Sequence, residues 1–436
     1  MRLVIMPLGL CLAVGCGAAE GTVATTPEPA ASPTAATSPA AAADPTPPEP
    51  SAPPAQGLDA EQARGVGRAV NGFAADLFAR LAAASGNVAC SPASLEAALA
   101  MTAAGARTET RAEMLRVLHT DDPGLDAIGH ALRAWDDPAR ETYTLRVANR
   151  LFGEDAYTFE EPYLARVRAA FGAPVERLDF IGAPEPARAL INGWVAEHTR
   201  DRIRALIPEG AIDALTRLVL VNAVYLDARW ETPFDRNATR PVTFRVDGRT
   251  AVEVDTMHAT RTLAYGQIDG ATIVELPYRG DELAMRFVLP AEGTPPEAWA
   301  TEAHLSDTTA LGSQRVALSL PKFRLEPATI PLEDHLTALG MHLAFDDDRA
   351  DFTGMANPPN AGDRLHVSSA FHKAFVRVDE DGTEAAAASA VIMAARGAAM
   401  REPEPVVLRF DRPFLFVLRD LRTGAVLFLG RVSDPR

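Results

Sequence analysis

Residues 380–400 read EDGTEAAAASAVIMAARGAAM, a pattern that suits two different secondary structures. Alanine has the highest helix propensity, so the alanine run taken alone predicts a surface helix. At the two-residue period of a strand, one face instead carries only small or apolar side chains, namely Thr383, Ala385, Ala387, Ser389, Val391 and Met393. Such a face suits a tightly packed sheet interior, where one extra methylene is felt. The stretch alone leaves helix and strand open.

The segments around this stretch predict a strand that enters it and a chain that changes class along its length. Residues 371–381 (FHKAFVRVDED) alternate between apolar and polar side chains, as a strand does, and the proline-rich REPEP follows at residues 401–405. Helical patterns dominate to about residue 208, and Ser91 followed by Pro92 is typical of a helix start. Residues 218–225 (LVLVNAVY) are almost continuously apolar, which indicates a strand buried on both faces. Helices first and strands later indicate an α+β fold.

Composition excludes several classes of partner. The 436-residue chain carries a formal net charge of −16. A strongly acidic protein repels nucleic acid, other polyanions and anionic membrane surfaces, so these are unfavourable partners. We therefore expect no nucleic acid partner, and a monomer whose stability comes from a large apolar core.

The N-terminus predicts export and a lipid anchor. Arg2, an apolar stretch at residues 3–14 and the small-residue sequence AVGC at residues 13–16 resemble a bacterial lipoprotein signal. That resemblance implies a signal peptide at residues 1–15 and lipidation of Cys16, although an ordinary secretory signal is the alternative. Gly17 after the cysteine implies the outer membrane, with the protein periplasmic or at the cell surface. Residues 16–56 are rich in Pro, Ala and Thr and predict an unfolded tether.

A single cysteine, Cys90, follows the predicted lipid anchor in the sequence. Cys90 is the only cysteine after Cys16, so no internal disulfide can form. We interpret Cys90 as a buried small hydrophobe rather than a nucleophile.

Six stretches of the chain carry a family resemblance when they are read in order. They are NVACSPASLEAALAMTAAGA (residues 87–106), TRLVLVNAVYLDARWETPF (216–234), LPKFRLE (320–326), LGMHLAF…ADFTGM (339–355), HKAFVRVDEDGTEAAAA (372–388) and RPFLFVLRD…LFLGRV (412–432). Together they resemble the serpin superfamily of serine protease inhibitors, over the chain from about residue 60 to its C-terminus. The resemblance implies three β-sheets, about nine helices, a serpin domain at residues 57–436 and an exposed reactive loop at about 380–405.

The resemblance also implies a mechanism for the stretch with two characters. A target protease cleaves the loop as a substrate and forms an acyl-enzyme with it. The cut loop then enters the main sheet as a new strand and traps the protease, an established case of strand addition in this family. The protein would thus be an inhibitor that acts as a suicide substrate, with no cofactor.

Family spacing implies that Arg396 precedes the cleaved bond and Gly397 follows it, since this position is seventeenth when Glu380 is counted first. An arginine there suits trypsin-like serine proteases, whose specificity pocket carries an aspartate. A cysteine protease is a secondary candidate. The segment between Arg396 and residue 412 is long for the family, so cleavage after Ala395, Met400 or Arg401 stays open.

The hinge of the loop matches the pattern of inhibitory family members, with small residues that would not slow insertion. Its residues are Glu380, Gly382, Thr383, Glu384, Ala385, Ala386, Ala387 and Ala388. Ser389 and Asp381 depart from the commoner threonine and glutamate but keep size class or charge. The alternative is a non-inhibitory binding or scaffold lipoprotein of the same fold, whose loop is merely cut.

Five further residues match gating positions of the family. Ser91, Ser94, Asn222 and His372 match a polar cluster beneath the main sheet, where hydrogen bonds can exchange as strands separate. Trp230 matches a tryptophan near the entry point of the loop. Helix capping by Ser91 and ordinary core packing of His372 and Trp230 are the alternatives.

The sequence offers no enzyme site. HExxH, P-loop and GxSxG motifs are missing from it, and its histidines lack metal-ligand spacing. The aspartates at residues 346–348 lack the glycine and terminal glutamate of a calcium loop. We therefore expect neither catalysis nor a bound metal.

Overall fold

The structure is a computed structural model that describes residues 57–173, 175–246, 250–307, 311–358, 364–383 and 404–436. Within these ranges it contains eight α-helices, which are α1 (Ala60–Leu81), α2 (Pro92–Gly105), α3 (Thr108–Val117), α4 (Asp122–Trp135), α5 (Glu161–Phe171), α6 (Pro184–His198), α7 (Glu302–Ser306) and α8 (Glu333–Ala338). Three 3-10 helices lie at Arg236–Ala238, Pro296–Trp299 and Leu343–Phe345. The described residues belong to one compact unit.

Sixteen strands complete the described secondary structure. They are β1 (Val88–Cys90), β2 (Tyr143–Glu154), β3 (Glu176–Leu178), β4 (Leu218–Arg229), β5 (Arg240–Val246), β6 (Thr250–Ile268), β7 (Ala271–Pro277), β8 (Leu283–Leu289), β9 (Gly312–Pro321), β10 (Phe323–Leu325), β11 (Ile330–Pro331), β12 (Ser369–Val378), β13 (Gly382–Thr383), β14 (Val406–Arg409), β15 (Phe414–Asp420) and β16 (Val426–Val432). Helices and strands segregate along the chain as the sequence predicts, and the α+β class is confirmed. Strands β1, β2 and β3 are the exceptions, because they lie before residue 208, in the region that the sequence analysis counted as mainly helical.

The strands form two hydrogen-bonded sheets. The main sheet has the order β10-β12-β13-β4-β2-β3, with β11 also on β12, and the second sheet runs β1-β16-β15-β8-β7-β6-β9-β14, with β5 on β6. The family resemblance implies three sheets. The 19-residue strand β6 pairs with β7 at one end and with β5 and β9 along the rest, so it joins two of those three into one ladder.

Helix α2 is buried on all sides and is mostly apolar, with Ser94, Glu96 and Thr102 as its buried polar residues. All of its residues are buried, and it contacts β2 and β4 of the main sheet and β16 of the second sheet. A helix without a polar face has to lie inside the core. Ser91 caps its N-terminus by accepting a hydrogen bond from the Ser94 amide at 3.4 Å, and Pro92 follows at the first helical position.

Strand β4 is buried on both faces, as the apolar run predicts, and it separates two cores. Leu218, Leu220, Val224, Leu226 and Ala228 belong to the large inner core that includes α2. Val219, Val221 and Ala223 belong to a smaller outer core, which we call the α6 core. The α6 core also contains Ala148 and Phe152 of β2, Ile191 and Val195 of α6, and Phe371 of β12. The two-residue alternation of β4 therefore presents one side chain to each core in turn.

Candidate functional site

The site lies where the chain leaves β12 and re-enters the main sheet as β13. Strands β4 and β12 run parallel to each other and are paired in register from Ser369 opposite Val219 to Phe375 opposite Tyr225. Beyond this pairing they part, and β13 lies between them, antiparallel to both. Thr383 faces Val378 of β12 on one side and Ala228 of β4 on the other. The sheet therefore holds the first residues of a middle strand at the mouth of a closed seam.

Gly382 is required at this mouth. Its φ is +154°, and a Cβ there would lie 2.0 Å from the carbonyl oxygen of Ala228. Only a residue without a side chain can approach β4 so closely. This close approach lets the chain turn between two strands that are already paired with each other.

Thr383 is held by an aromatic pair that also holds the preceding turn. Its hydroxyl lies 2.5 Å from the Tyr278 hydroxyl, and the Tyr278 ring stacks on Trp230 at a centroid distance of 4.4 Å. The Trp230 indole donates a hydrogen bond to the carbonyl oxygen of Asp379 at 3.0 Å, and its backbone amide donates to that of Asp381 at 2.9 Å. Trp230 thus lies at the mouth of the seam, where the family resemblance implies it.

Glu380 anchors the turn from the other side. Its side chain accepts a hydrogen bond from the Thr239 hydroxyl at 2.7 Å and pairs with the Lys322 ammonium at 3.2 Å. Burial raises the pKa of this carboxyl, but the hydrogen bonds from Thr239 and Lys322 outweigh it, so that the pKa lies below its usual value. Asp381 forms a further ion pair with Arg236. We call this set of contacts around residues 379–383 the hinge clamp.

A polar cluster lies under the closed seam, in contact with α2. His372 of β12 and Asn222 of β4 face each other in the register, and the imidazole Nδ1 lies 2.5 Å from the side-chain oxygen Oδ1 of Asn222. The Ser91 amide donates to Nε2 of His372 at 3.1 Å, which assigns the proton to Nδ1. Burial lowers the pKa of His372 to about 3, so the ring is neutral. The hydrogen bond between His372 and Asn222 therefore spans the seam.

The other members of the cluster hold Asn222 from below. Its amide nitrogen donates to the Ser94 hydroxyl and to the side-chain oxygen of Asn149. Asn149 in turn donates to the Ser94 carbonyl oxygen at 2.8 Å. The Ser91 hydroxyl donates to the carbonyl oxygen of Leu427 at 2.7 Å, which links the cluster to the second sheet. The sequence analysis missed Asn149, whose signal was a lone amide within the buried strand β2, opposite Asn222.

The remaining predicted residues lie outside the described residues. These are Cys16, Glu384, Ala385, Ala386, Ala387, Ala388, Arg396 and Gly397, together with the alternatives Ala395, Met400 and Arg401. Their roles stay predictions. The structure brings together Ser91, Ser94, Asn222 and His372 in the polar cluster, and Trp230, Glu380, Gly382 and Thr383 in the hinge clamp.

The candidate metal ligands and the thiol have the following surroundings within the described residues. No group of three or more His, Cys, Asp or Glu side chains among them could hold a metal ion. The Asp346 carboxylate accepts from the backbone amides of Asp348 and Arg349 at 3.1 and 2.9 Å, so it stabilises its own turn. Cys90 is buried, and burial raises the pKa of its thiol to about 12. Among the described helices, none has the length and hydropathy needed to cross a membrane.

Comparison with known proteins gives a consistent result. The family model described as serpin (serine protease inhibitor) matches residues 68–435. A serpin-like protein of Thermococcus kodakarensis is 38% identical over 384 residues, covering 86% of this chain and 87% of its own. The leukocyte elastase inhibitor of Bos taurus is 37% identical, covering 83% of this chain and 97% of its own. In structure the chain is similar to the thermophilic serpin tengpin in the native state, with a TM-score of 0.76, 27% identity and coverage of 87% of this chain and 95% of tengpin. Uncleaved ovalbumin gives a TM-score of 0.74 with 25% identity, covering 85% of this chain and all of ovalbumin.

Proposed function

The chain belongs to the serpin family, and from that premise we propose that it inhibits a trypsin-like serine protease by trapping it as a suicide substrate. Relatives of this chain carry the name of a protease inhibitor, the leukocyte elastase inhibitor. The finer proposal concerns this chain's own loop, which presents Arg396 to the protease as the residue before the cleaved bond. A cysteine protease is the secondary target of the same proposal.

The observation that carries the proposal is β13, which is antiparallel to both β4 and β12 while these two are parallel to each other. A strand that continued from Thr383 would meet each neighbour in the antiparallel sense. It would replace one parallel ladder with two antiparallel ones, and antiparallel pairing is slightly more stable per residue. We infer that the uncleaved chain is hindered from completing this strand because its far end continues into β14. Cleavage releases that constraint.

Lengths and side chains support the same reading. Residues 383–396 would span about 45 Å as a strand, and the 12 residues of β4 span about 40 Å. Eight residues beyond Thr383, Val391 would lie opposite Leu220 of β4, which belongs to the inner core. Burying a side chain such as Val391 contributes about 1.5–3 kcal/mol. The closed seam thus leaves apolar burial unused until the loop is cut.

The register also assigns a position to Ser389. Six residues beyond Thr383, it would lie between Asn222 of β4 and His372 of β12, because each of these is six residues before the present partner of Thr383. We propose that the Ser389 hydroxyl enters the hydrogen bond that now joins His372 to Asn222. The polar cluster would then be satisfied both before and after insertion, which keeps the barrier to strand separation low.

The test is a reaction of the intact protein with trypsin. We expect an adduct that survives denaturing electrophoresis, at the summed mass of trypsin and the protein without its C-terminal fragment. Mass spectrometry of the released fragment identifies the cleaved bond, which we expect to follow Arg396. The Arg396→Ala variant should lose the adduct, and the matched Arg401→Ala variant should keep it.

One outcome would contradict the proposal, and another would correct the position of the cleaved bond. Complete cleavage without any adduct, and without a rise in thermal stability of the cleaved protein, would favour the alternative of a non-inhibitory binding or scaffold protein. An adduct that depends on Arg401, Met400 or Ala395 instead would keep the trap but correct the position of the bond.

We also propose that Cys16 is lipidated and that residues 16–56 hold the inhibitor away from a membrane, on the periplasmic or outer side of the cell envelope. The proposal depends on the signal-like sequence at residues 1–16. The Cys16→Ser variant should move from the membrane fraction to the soluble fraction. If it fractionates like the unmodified sequence, the anchor is not at Cys16.

A further inference from the structure

A cavity of about 340 Å³ lies in the second sheet, in the fork where β6 separates from β7. At Ala264, β6 still pairs with Glu275 of β7 and with Ser313 of β9, and before Ala264 it pairs with β9. The two strands diverge from this point and leave a space between them. Its lining residues include Thr232, Arg261, Leu263, Leu276, Pro277 and Leu311.

Arg261 brings a positive charge into this fork cavity without a counter-ion. Its guanidinium lies 4.5 Å from the centroid of the Phe234 ring and donates to the carbonyl oxygen of Thr232. Its Nε is inaccessible to solvent and has no hydrogen-bond partner, and burial lowers the pKa of the group to about 10. Within the described part of the chain, no carboxylate pairs with it. A partly desolvated cation without a paired carboxylate is a favourable place for an anion to bind.

Glu275 is the other charged residue that lines the fork cavity. Its carboxylate is already paired with Arg286 at 3.2 Å, and the side chain of Arg286 is only 4% exposed. The negative charge of Glu275 is therefore neutralised within the sheet. The uncompensated charge of the cavity is the positive one of Arg261.

The remaining lining is mostly apolar, with the hydroxyl side chains of Thr232, Thr262 and Ser313 beside it, and its volume suits a small occupant. Leucines at 263, 276 and 311, together with Pro277 and Ala264, form the apolar walls. Small-molecule sites typically combine such apolar walls with a few polar groups that fix orientation. At about 30 Å³ for each water-sized group, the volume takes roughly ten non-hydrogen atoms.

We propose that the fork cavity binds a monocarboxylate with an apolar body of this size, its carboxylate on the Arg261 guanidinium. Arginine matches the two oxygens of a carboxylate in a planar, charge-assisted pair. The site does not depend on the inhibitory function. It does lie beside the hinge clamp, because its lining residue Thr232 is between Trp230 and Phe234 in the chain. The backbone amides of Trp230 and Phe234 donate hydrogen bonds to the carbonyl oxygens of Asp381 and Glu380, respectively.

The test uses octanoate, which has ten non-hydrogen atoms, and titration calorimetry of the intact protein. A charge-assisted hydrogen bond is worth about 1.5–3 kcal/mol, so the Arg261→Gln variant should bind octanoate about 10- to 100-fold more weakly. The matched control is Arg324→Gln, because Arg324 also lies over an aromatic ring, that of Phe375 at 5.1 Å, but is far from the cavity lining. This control should bind octanoate as the unmodified protein does.

Two further comparisons keep the proposal falsifiable if Arg261→Gln fails to fold. Ser313 is exposed at the cavity wall, so Ser313→Trp should fill the cavity, leave the fold intact and abolish binding. The unmodified protein should bind 1-octanol more weakly than octanoate and should not bind octylammonium. The proposal is overturned if octanoate does not bind, if 1-octanol binds equally well, or if binding survives both Arg261→Gln and Ser313→Trp.

Discussion

Ala387→Asp gives the sharpest test of strand insertion. Four residues beyond Thr383 in the extended register, position 387 would lie between Val224 of β4 and Ala374 of β12, both of which are fully buried in the inner core. An aspartate there would have to enter as the neutral acid. Neutralising an aspartate of ordinary pKa at pH 7 costs about 4 kcal/mol. If half of that cost is felt in the transition state, insertion slows about 30-fold.

The assay follows from the competition between insertion and hydrolysis of the acyl-enzyme. Slower insertion lets trypsin escape, so the number of inhibitor molecules consumed for each trypsin molecule blocked should rise about 30-fold at most. Cleavage itself should continue at an unchanged rate, because position 387 is remote from the cut bond. Aspartate is preferable to arginine here because it adds no new cleavage site for trypsin.

Ala399→Asp is the matched control, since it makes the same chemical change beyond the cut bond, in the fragment that does not insert. It should leave the stoichiometry of inhibition unchanged. The reasoning is refuted if Ala387→Asp inhibits as efficiently as the unmodified protein, because the extended register would then be wrong.

Three further predictions follow from the polar cluster and the hinge clamp. Ser389→Val should lower the unfolding free energy of the cleaved protein by about 1–3 kcal/mol in guanidinium and leave that of the intact protein unchanged, because His372 or Asn222 loses a partner only after insertion. Ser389→Thr, which keeps the hydroxyl, should change neither value. Equal effects of Ser389→Val on both forms would contradict the proposed position. Gly382→Ala should lower the unfolding free energy of the intact protein by more than Gly293→Ala does. Both glycines have a positive φ, +154° and +84°, but only a Cβ at position 382 would meet the carbonyl oxygen of Ala228. Similar losses in the two variants would disprove the clash. In the folded protein His372 has a pKa of about 3, whereas in the unfolded chain it is protonated below about pH 6.5. The unfolding free energy should therefore fall by about 1.4 kcal/mol for each pH unit as the pH is lowered from about 6.5 to about 3. His372→Gln should remove this pH dependence, and an unchanged pH profile of that variant would refute the assignment.

Local pattern predicted the parts of this fold that depend on local physics. The Ser91–Pro92 helix start and the doubly buried strand β4 are confirmed, because capping chemistry and continuous apolar runs are readable from neighbouring residues. Strand β2 was missed because Arg146 and Arg150 interrupt its apolar pattern. These arginines pair with Asp136 and Glu176, which lie on other elements of the structure. Such tertiary pairing leaves no local signal.

The candidate site divides along the same line. Family motifs led to the polar cluster and to Trp230; in the structure Ser91, Ser94, Asn222 and His372 contact one another and Trp230 lies in the hinge clamp, while their gating role stays a prediction. The hinge clamp also depends on Tyr278 and Thr239, which are far from the hinge in sequence and belong to no motif, and on Lys322, which lies in the LPKFRLE stretch but was not singled out there. Tyr278, for example, is 105 residues from Thr383. The reactive bond itself stays a prediction from family spacing.

The α6 core has a mechanical consequence for any strand that enters the main sheet. Its side chains come from β2, β4, α6 and the segments on either side of α6, and Phe371 is its single member from β12. A slip plane between β4 and β12 would therefore cut through almost none of this core on the outer surface. Helix α6 can therefore move with β2 and β4 as one rigid block when β12 separates from β4. A smaller side chain at position 371 should speed the separation of β12 from β4, whereas a bulkier one should slow it.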